Sequence, residues 1–277
     1  MNLYQSMSTI NIGDSLNTLV NEARGGLFRQ SELAQLTYGA FDIAATTLQK
    51  SDKDKIEISY PVGWRPDRQA MEGTWTYSKE DLLNQYRYLA FHQLAVNGLF
   101  QLVAITEALL GDILRAIVRK YPHKLGNKRT ITIQTVLESA TIDEIHLRAT
   151  DALVNELTYK SPIEFAESLD SLISINLIEC PAFHKYVEIK ATRDIFVHNQ
   201  GMANETYVRK AGTHQRVKSG MTLPADVQYF LESYEACLQV TEWLEIELHK
   251  RWHSAKYEAK LQPQLEISLP PIGEPQV

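Results

Sequence analysis

The stretch ATRDIFVHNQG at residues 191–201 places an arginine, Arg193, and a histidine, His198, five residues apart, just before the run NQG. An imidazole can move a proton near neutral pH, and a guanidinium is a permanently charged, planar set of donors that suits phosphate oxygens. The two residue types together suit chemistry on a phosphodiester. The NQG run predicts that a helix ends here, and the partial negative charge of a helix C-terminus favours a protonated imidazole.

The spacing alone is weak evidence, because the chain's 13 arginines and 8 histidines would produce fewer than one such pair by chance, and three are present. Arg87 and His92 lie among apolar neighbours, as is typical of a core or boundary histidine. Arg209 and His214 lie in a glycine-containing basic segment, which is better suited to binding phosphate than to catalysis. On a continuous helix, residues five apart point about 140° away from each other. The remaining pair is Arg193 and His198. The helix must therefore fray or turn near His198 for one substrate to contact both residues.

The longer stretch YVEIKATRDIFVHNQGMANETYV resembles the signature of HEPN-domain proteins, in which an arginine and an adjacent polar residue precede a histidine. The segment LVAITEALLGDILRAIVRKYP is similar to the first core helix of that family, and the resemblance covers about residues 80–255. The residues at the matching positions and beside them are Arg193, Asp194, His198, Glu188 and Asn199.

The resemblance implies an α-helical homodimer in which two motifs face one composite cleft, commonly a metal-independent endoribonuclease of a toxin or phage-defence system. It implies that His198 moves a proton while Arg193 stabilises the charged phosphorane, when an RNA 2′-hydroxyl attacks its own phosphate to leave a cyclic phosphate. Asp194 and Glu188 are then expected to orient the arginine or shape the cleft, and Asn199 to hydrogen-bond phosphate. RNA, a second copy of the chain and an antitoxin or other operon-encoded protein are the expected partners.

Two positions depart from the family pattern. Asp194 stands where many active members have asparagine, which places a negative charge beside the expected RNA phosphate. This favours the alternative of a catalytically silent protein of the same fold that binds a nucleotide, RNA or a protein partner. Gln200 stands where members silenced by a nucleotidyltransferase antitoxin have tyrosine, which disfavours that mode of regulation. A purely structural interaction protein is the third possibility.

Four basic residues without an intervening acid follow the motif, and they predict a salt-sensitive contact with the RNA backbone. The alternative is a solvated loop. The four residues are Arg209, Lys210, Arg216 and Lys218.

Neither a metal nor a cofactor is expected. His249 and His253 are one helical turn apart near Glu245, and Cys180 precedes His184 by four residues, but neither pair has a clear third ligand. The sequence also contains no P-loop, no Rossmann fingerprint and no G-x-S-x-G motif.

Composition limits the class of protein. A chain of 277 residues with 44% hydrophobic residues can form a sizeable core, and a net charge of −6 argues against a nonspecific nucleic-acid coat protein. Two cysteines suit a reducing compartment, and the first residues lack the features of a signal peptide, so we expect a cytoplasmic protein. The apolar stretch from Leu99 is interrupted by polar residues, Glu107 among them, and indicates a core helix and no membrane span.

The spacing of apolar residues predicts an all-α bundle, and the resemblance makes it HEPN-like, with extra N-terminal helices. We expect an N-terminal helical extension and linker at 1–78, a HEPN-like helical domain at 79–259 and a disordered proline-rich tail at 260–277. The elements predicted within these ranges are two helices near 15–25 and 31–50, a loop with at most one short strand at 51–77, one long helix or two in line at 79–121, helices starting near 141, 161 and 181, an irregular loop or hairpin at 202–222, and a final helix from about 224 to 259.

Overall fold

The structure is a computed structural model that describes residues 11–125 and 130–267, the side chains of 262–267 excepted. With 73% helix and 9% strand it is mainly α, and its strands form a single two-stranded sheet. The helices are α1 (Ile12–Lys50), α2 (Lys79–Tyr88), α3 (Leu94–Lys120), α4 (Ile133–Leu137), α5 (Ile142–Thr158), α6 (Pro162–Ile173), α7 (Phe183–Asn199), α8 (Glu205–Ala211), α9 (Val227–Arg251) and α10 (Ala255–Ile267), and the strands are β1 (Lys55–Trp64) and β2 (Ala70–Ser78).

The N-terminal region forms one helix of 39 residues where the sequence predicts two. The first half of α1 packs against α3 and α9 and buries Leu16, Val20 and Leu27 in the main core. A Cβ on Gly26 would lie 3.3 Å from the side chain of Ile105 on α3, so the absence of a side chain permits a close approach of the two helices. This packing offsets the helix-breaking tendency of the Gly25-Gly26 pair, and α1 is part of the bundle.

The segment predicted as a loop with at most one strand is a β-hairpin. β1 and β2 pair antiparallel from Lys55↔Ser78 to Trp64↔Ala70, with an irregularity between Pro61 and Gly63. Both strands of a two-stranded sheet are edge strands, where a proline and a bulge are tolerated, and the prediction of a loop was therefore wrong.

Residues 79–120 form one continuous helical run. This agrees with one of the two predicted alternatives, a single long helix. A π-helical turn, Leu89–Gln93, joins α2 to α3. Gly98 lies inside α3, and a Cβ there would come within 2.5 Å of the Phe230 ring on α9. The glycine therefore permits helix packing and does not end the helix.

By length and composition alone the same run, Lys79–Lys120, could cross a membrane, and it is the one such candidate among the described residues. Its most apolar window has a mean hydropathy of 1.6, but 56% of that window is buried by the rest of the protein. A core helix of a soluble protein has these properties, in agreement with the sequence prediction.

The structure confirms three predicted helix starts, two of them with side-chain caps. Thr141 accepts a hydrogen bond from the Glu144 amide at the start of α5. Ser161 and Glu164 form a reciprocal capping box, with proline at the first position of α6. The third start, α7, follows the Cys180-Pro181 turn and begins at Phe183.

The C-terminal third differs from the prediction in two places. Residues 202–222, predicted as a hairpin or irregular loop, contain α8 and a 3-10 turn, and the ends of the segment are joined by an isolated bridge, Met202↔Thr222. The final helix is interrupted after Arg251, and α10 then continues to Ile267, into the predicted disordered tail. The remainder of that tail, 268–277, lies outside the described residues.

Gly98 permits a close approach of α3 and α9, whereas Gly39 lies in open space. An added methyl group should therefore have opposite effects on stability at the two positions. Gly98→Ala should lower the free energy of unfolding by about 1–3 kcal/mol, the usual cost of overpacking. Gly39 lies in α1 with nothing within 4 Å of its Cβ position, so Gly39→Ala should raise that free energy by about 0.5–1 kcal/mol. Urea unfolding monitored by circular dichroism measures both, and equal effects would contradict this account of α3–α9 packing.

Candidate functional site

The motif helix is continuous through both motif residues. α7 extends to Asn199, and the left-handed residues Gln200 (φ 51°) and Gly201 (φ 82°) end it, which confirms the predicted C-cap. The expected fraying near His198 does not occur. Arg193 and His198 therefore point in directions about 140° apart.

His198 lies in the last turn of α7 and is exposed. In the part of the chain that the structure describes, its imidazole has no hydrogen-bond or ion-pair partner. Val197 beside it is also exposed, as is Met202 just beyond the helix end. The imidazole is thus accessible to a substrate or to a second protein surface.

Arg193, in contrast, is held by two carboxylates. Its Nη2 donates to Glu107 Oε2 of α3 at 2.8 Å, and its Nε lies 3.2 Å from Asp194 Oδ1 without hydrogen-bond alignment. Glu107 also forms a close ion pair with Lys190. A phosphate that binds Arg193 must therefore compete with Glu107 and Asp194.

Asp194 lies between two cations. Besides Arg193 it contacts Lys210 Nζ of α8 at 3.4 Å. Its carboxylate is in place to orient the arginine, and it also links α7 to α8. Lys210, predicted to contact RNA, therefore already has a carboxylate partner.

Glu188 is on another side of α7 and is fully buried, with a side-chain exposure of 0%. It does not contact Arg193 and instead accepts four hydrogen bonds, at 2.7–3.1 Å, from elements that surround it. The four donors are Thr192 Oγ1, the Tyr207 phenol, Arg216 Nε and the Tyr229 phenol. We call these five residues the Glu188 network.

Burial keeps the tyrosines of this network protonated. Desolvation is the main reason that the pKa of Tyr229 lies well above its usual value, and it also raises the pKa of Tyr207. Both phenols therefore remain donors to the carboxylate of Glu188 across the neutral range.

Arg216 is an integral part of the Glu188 network. Its guanidinium also donates to the Pro224 carbonyl at 2.6 Å and lies 3.4 Å above the Tyr229 ring. Of the four residues predicted to bind RNA, only Arg209 and Lys218 are exposed and without a hydrogen-bond or ion-pair partner among the described residues. Fewer of the predicted residues are thus free to contact phosphate than the sequence suggests.

Asn199 closes the turn after α7. Its Nδ2 donates to the Met202 carbonyl in a short contact, and the side chain is exposed. Because phosphate oxygens accept hydrogen bonds, a phosphate ligand would have to contact this same Nδ2 group, which now holds the turn.

The structure adds a third possible metal ligand, Glu258, to His249 and His253, and the sequence analysis missed it. Donor atoms of His249, His253 and Glu258 lie within 4.8 Å of one another, whereas Glu245 contacts Arg24 and Lys260. Glu258 Oε1 is 2.8 Å from His253 Nε2, so a hydrogen bond between these two groups satisfies them without a metal. The other pair contains Cys180, which is buried.

Glu107 and Lys190 are the site residues that sequence reasoning missed. The sequence marked Glu107 only as a polar interruption of an apolar stretch. An acidic residue on a helix whose other faces are apolar was the available signal, since such a charge requires a nearby cation. Its partners come from α7, about 85 residues later, and only the fold identifies them.

Comparisons of the chain with protein-family models, with curated proteins and with solved structures found no match.

The Glu188 network predicts a large effect from a small substitution. Glu188→Gln should lower the free energy of unfolding by about 3–5 kcal/mol, because it leaves Arg216 without its buried counter-charge. Glu232 shares Lys185 with Glu188 but is about half exposed, so Glu232→Gln should change stability by no more than about 0.5 kcal/mol. Urea unfolding at pH 7 tests both, and a similar small effect of the two variants would show that the network contributes little.

Proposed function

We propose that the protein is a metal-independent endoribonuclease of HEPN type that acts as a homodimer, as a toxin or phage-defence effector. The observation that carries the proposal is the imidazole of His198, which is exposed and has no partner among the described residues, at the end of a helix that also presents Arg193. A mainly α bundle around this helix is compatible with the proposal. No cofactor is required, and an antitoxin or other operon-encoded protein is its proposed regulator.

The need for a second subunit follows from the geometry of α7. Because the two motif side chains diverge by about 140°, a site that uses both is more easily formed by two copies than by one. Three exposed apolar residues lie on α7 next to His198 and in the segment that follows the helix, and they would suit contact with a second copy. They are Val197, Met202 and Met221.

In the proposed reaction the imidazole of His198 accepts the proton of an RNA 2′-hydroxyl. The 2′-oxygen then bonds to the adjacent phosphorus while the bond from phosphorus to the 5′-oxygen breaks. The 5′-oxygen takes its proton from the imidazolium of His198 of the partner subunit, and the products are a 2′,3′-cyclic phosphate and a 5′-hydroxyl. Arg193 leaves Glu107 to donate to the phosphorane oxygens, whose charge exceeds that of the starting diester.

One observation favours the catalytically silent alternative. Arg193 is neutralised by Glu107 and Asp194, and the energy of breaking these contacts would reduce its net affinity for phosphate. A protein of this kind would bind RNA, a nucleotide or a protein partner without cleaving RNA. A purely structural role would give neither cleavage nor RNA affinity.

His198 provides the first test. Purified wild type should cleave end-labelled single-stranded RNA in EDTA and leave cyclic-phosphate ends, and His198→Ala should lower the rate by about 10²–10⁴-fold, as expected for loss of a proton-transfer group. His92→Ala is the matched control, because His92 belongs to another Arg-x4-His pair, in the π-helical turn. Gel analysis gives the rates, and circular dichroism and light scattering verify folding and assembly.

The outcomes of this experiment separate the hypotheses. Cleavage by wild type and His92→Ala but not by His198→Ala supports the ribonuclease. Equal cleavage by all three proteins removes it. Binding of RNA without cleavage by any of them favours the silent alternative.

RNA affinity gives a second test that does not require turnover. If Arg209 and Lys218 each contact a phosphate, replacing both by glutamine should reduce the slope of log affinity against log salt by about 1.4, since each contact with single-stranded RNA contributes about 0.7. Lys250→Gln removes a charge that already pairs with Glu247 and should leave the slope unchanged. Fluorescence anisotropy at salt concentrations of roughly 50 to 300 mM measures the slopes. An unchanged slope in the double variant would exclude these two residues from the RNA contact.

A further inference from the structure

The β-hairpin formed by β1 and β2 has one apolar face that the rest of the protein leaves largely open. Directly opposite residues of an antiparallel pair point to the same face. The pairing therefore gathers apolar and aromatic side chains, and no charged one, on one side of the ribbon, among them Tyr60, Val62, Met71, Trp75 and Tyr77. The rings of Tyr60 and Trp75 lie 4.9 Å apart, yet both residues remain exposed, as do Val62 and Met71.

The long edges of this hairpin are open as well. The helix that it mainly contacts is α2, which follows β2 directly. Among the described residues, β2 has no backbone hydrogen bond to an element other than β1, so its outer N–H and C=O groups are free to pair. A two-stranded ribbon is marginally stable by itself, and a further strand is one of the usual ways to stabilise it.

The two outer edges differ in how well they are protected against pairing. Natural edge strands are protected by proline, by irregularities of the ladder and by charged side chains. β1 has all three, in Pro61, the irregularity that follows it, and the charges of Lys55 and Glu57. β2 has no proline, no irregularity of its own and a single charge, Glu72, and seven of its nine residues are exposed. The outer edge of β2 is therefore the one that can accept another strand.

We propose that β2 pairs antiparallel with β2 of a second copy of this chain, so that two hairpins form one four-stranded sheet. A strand edge can be its own complement, because antiparallel pairing about a two-fold axis matches each donor with an acceptor of the identical strand. The register that pairs the full length of Ala70–Ser78 places this axis at the middle residue, Thr74. The apolar faces of the two hairpins then lie on the same side of the sheet.

Charge complementarity supports a second copy as the occupant. In this register Glu72 lies opposite Thr76 of the partner subunit, so the single charge of β2 meets no like charge. On the apolar face Trp75 lies opposite Gly73 of the partner subunit, where its ring covers the strand backbone. A register centred on Glu72 would place two carboxylates directly opposite each other, which is unfavourable. The contact does not depend on the proposed ribonuclease activity, and it uses residues other than those proposed beside His198.

Thr74 and Ser59 provide a matched pair of variants. Their hydroxyls hydrogen-bond each other at 2.8 Å on the polar face, so lysine at either position removes the same bond within the hairpin. In the proposed sheet the two copies of Thr74 meet at the axis, whereas each Ser59 lies one strand away from it. Thr74→Lys should therefore weaken self-association at least about tenfold, and Ser59→Lys should stay within about twofold of wild type. Sedimentation equilibrium of the full-length protein gives masses and dissociation constants, and circular dichroism verifies folding.

Opposite charges at the axis give a second measurement. Thr74→Glu alone should weaken association as Thr74→Lys does, and an equimolar mixture of the two variants should recover the wild-type mass, because a lysine then faces a glutamate. Recovery in the mixture, with Ser59→Lys unaffected, would support the proposal.

Four results would overturn this pairing of β2. They are a monomeric wild type, a mass that Thr74→Lys leaves unchanged, an equal effect of Ser59→Lys, and no recovery in the mixture. An assembly formed only by the surface beside His198 would give the second of these results. Since RNA cleavage is not measured, the outcome is independent of whether the protein is a ribonuclease.

Discussion

The buried carboxylate of Glu188 is the constraint on which the arrangement of the motif helix depends. A fully buried charge is strongly destabilising unless a cation and hydrogen-bond donors satisfy it. Here the donors come from α7 itself, from α8, from α9 and from the segment that joins α8 to α9. Because they belong to separate elements, the charge is satisfied only when these elements assemble in one way. That assembly fixes the C-terminal end of α7, where His198 lies.

A second charged group, centred on Glu107, holds Arg193, the other residue of the motif. It joins α3 to α7 through Lys190 and Arg193. The arginine is therefore preorganised but also neutralised, and the histidine is exposed and unpaired within the described chain. Such an arrangement suits a site that is completed by a second surface, since the two halves of the motif face different directions on one helix.

Much of the helical framework could be predicted because it follows from local chemistry. The caps at Thr141 and Ser161 and the end of α7 at Gln200 were predicted from the residues beside them. Predictions failed where the surrounding tertiary structure decides the role of a residue. Two helices were expected near 15–25 and 31–50, but Gly26 permits close packing of one continuous α1. A loop with at most one strand was expected at 51–77, but Pro61 lies at an irregularity of an edge strand. The sequence does not contain the neighbouring surface that decides between these roles.

The sequence by itself determined that the protein is mainly helical, where its motif lies and that the motif helix ends just after His198, because periodicity, caps and left-handed residues act over a few positions. Only the tertiary structure decided what each charged residue does. Glu188 and Arg216 were predicted to serve the site and instead pair with each other, with Glu188 fully buried, while Glu107, not predicted at all, holds Arg193. Ion pairs in this structure join residues up to 221 positions apart, as Arg24 and Glu245 are. Since charge attraction depends on distance in space and not on separation along the chain, these partners can be identified only in the folded protein.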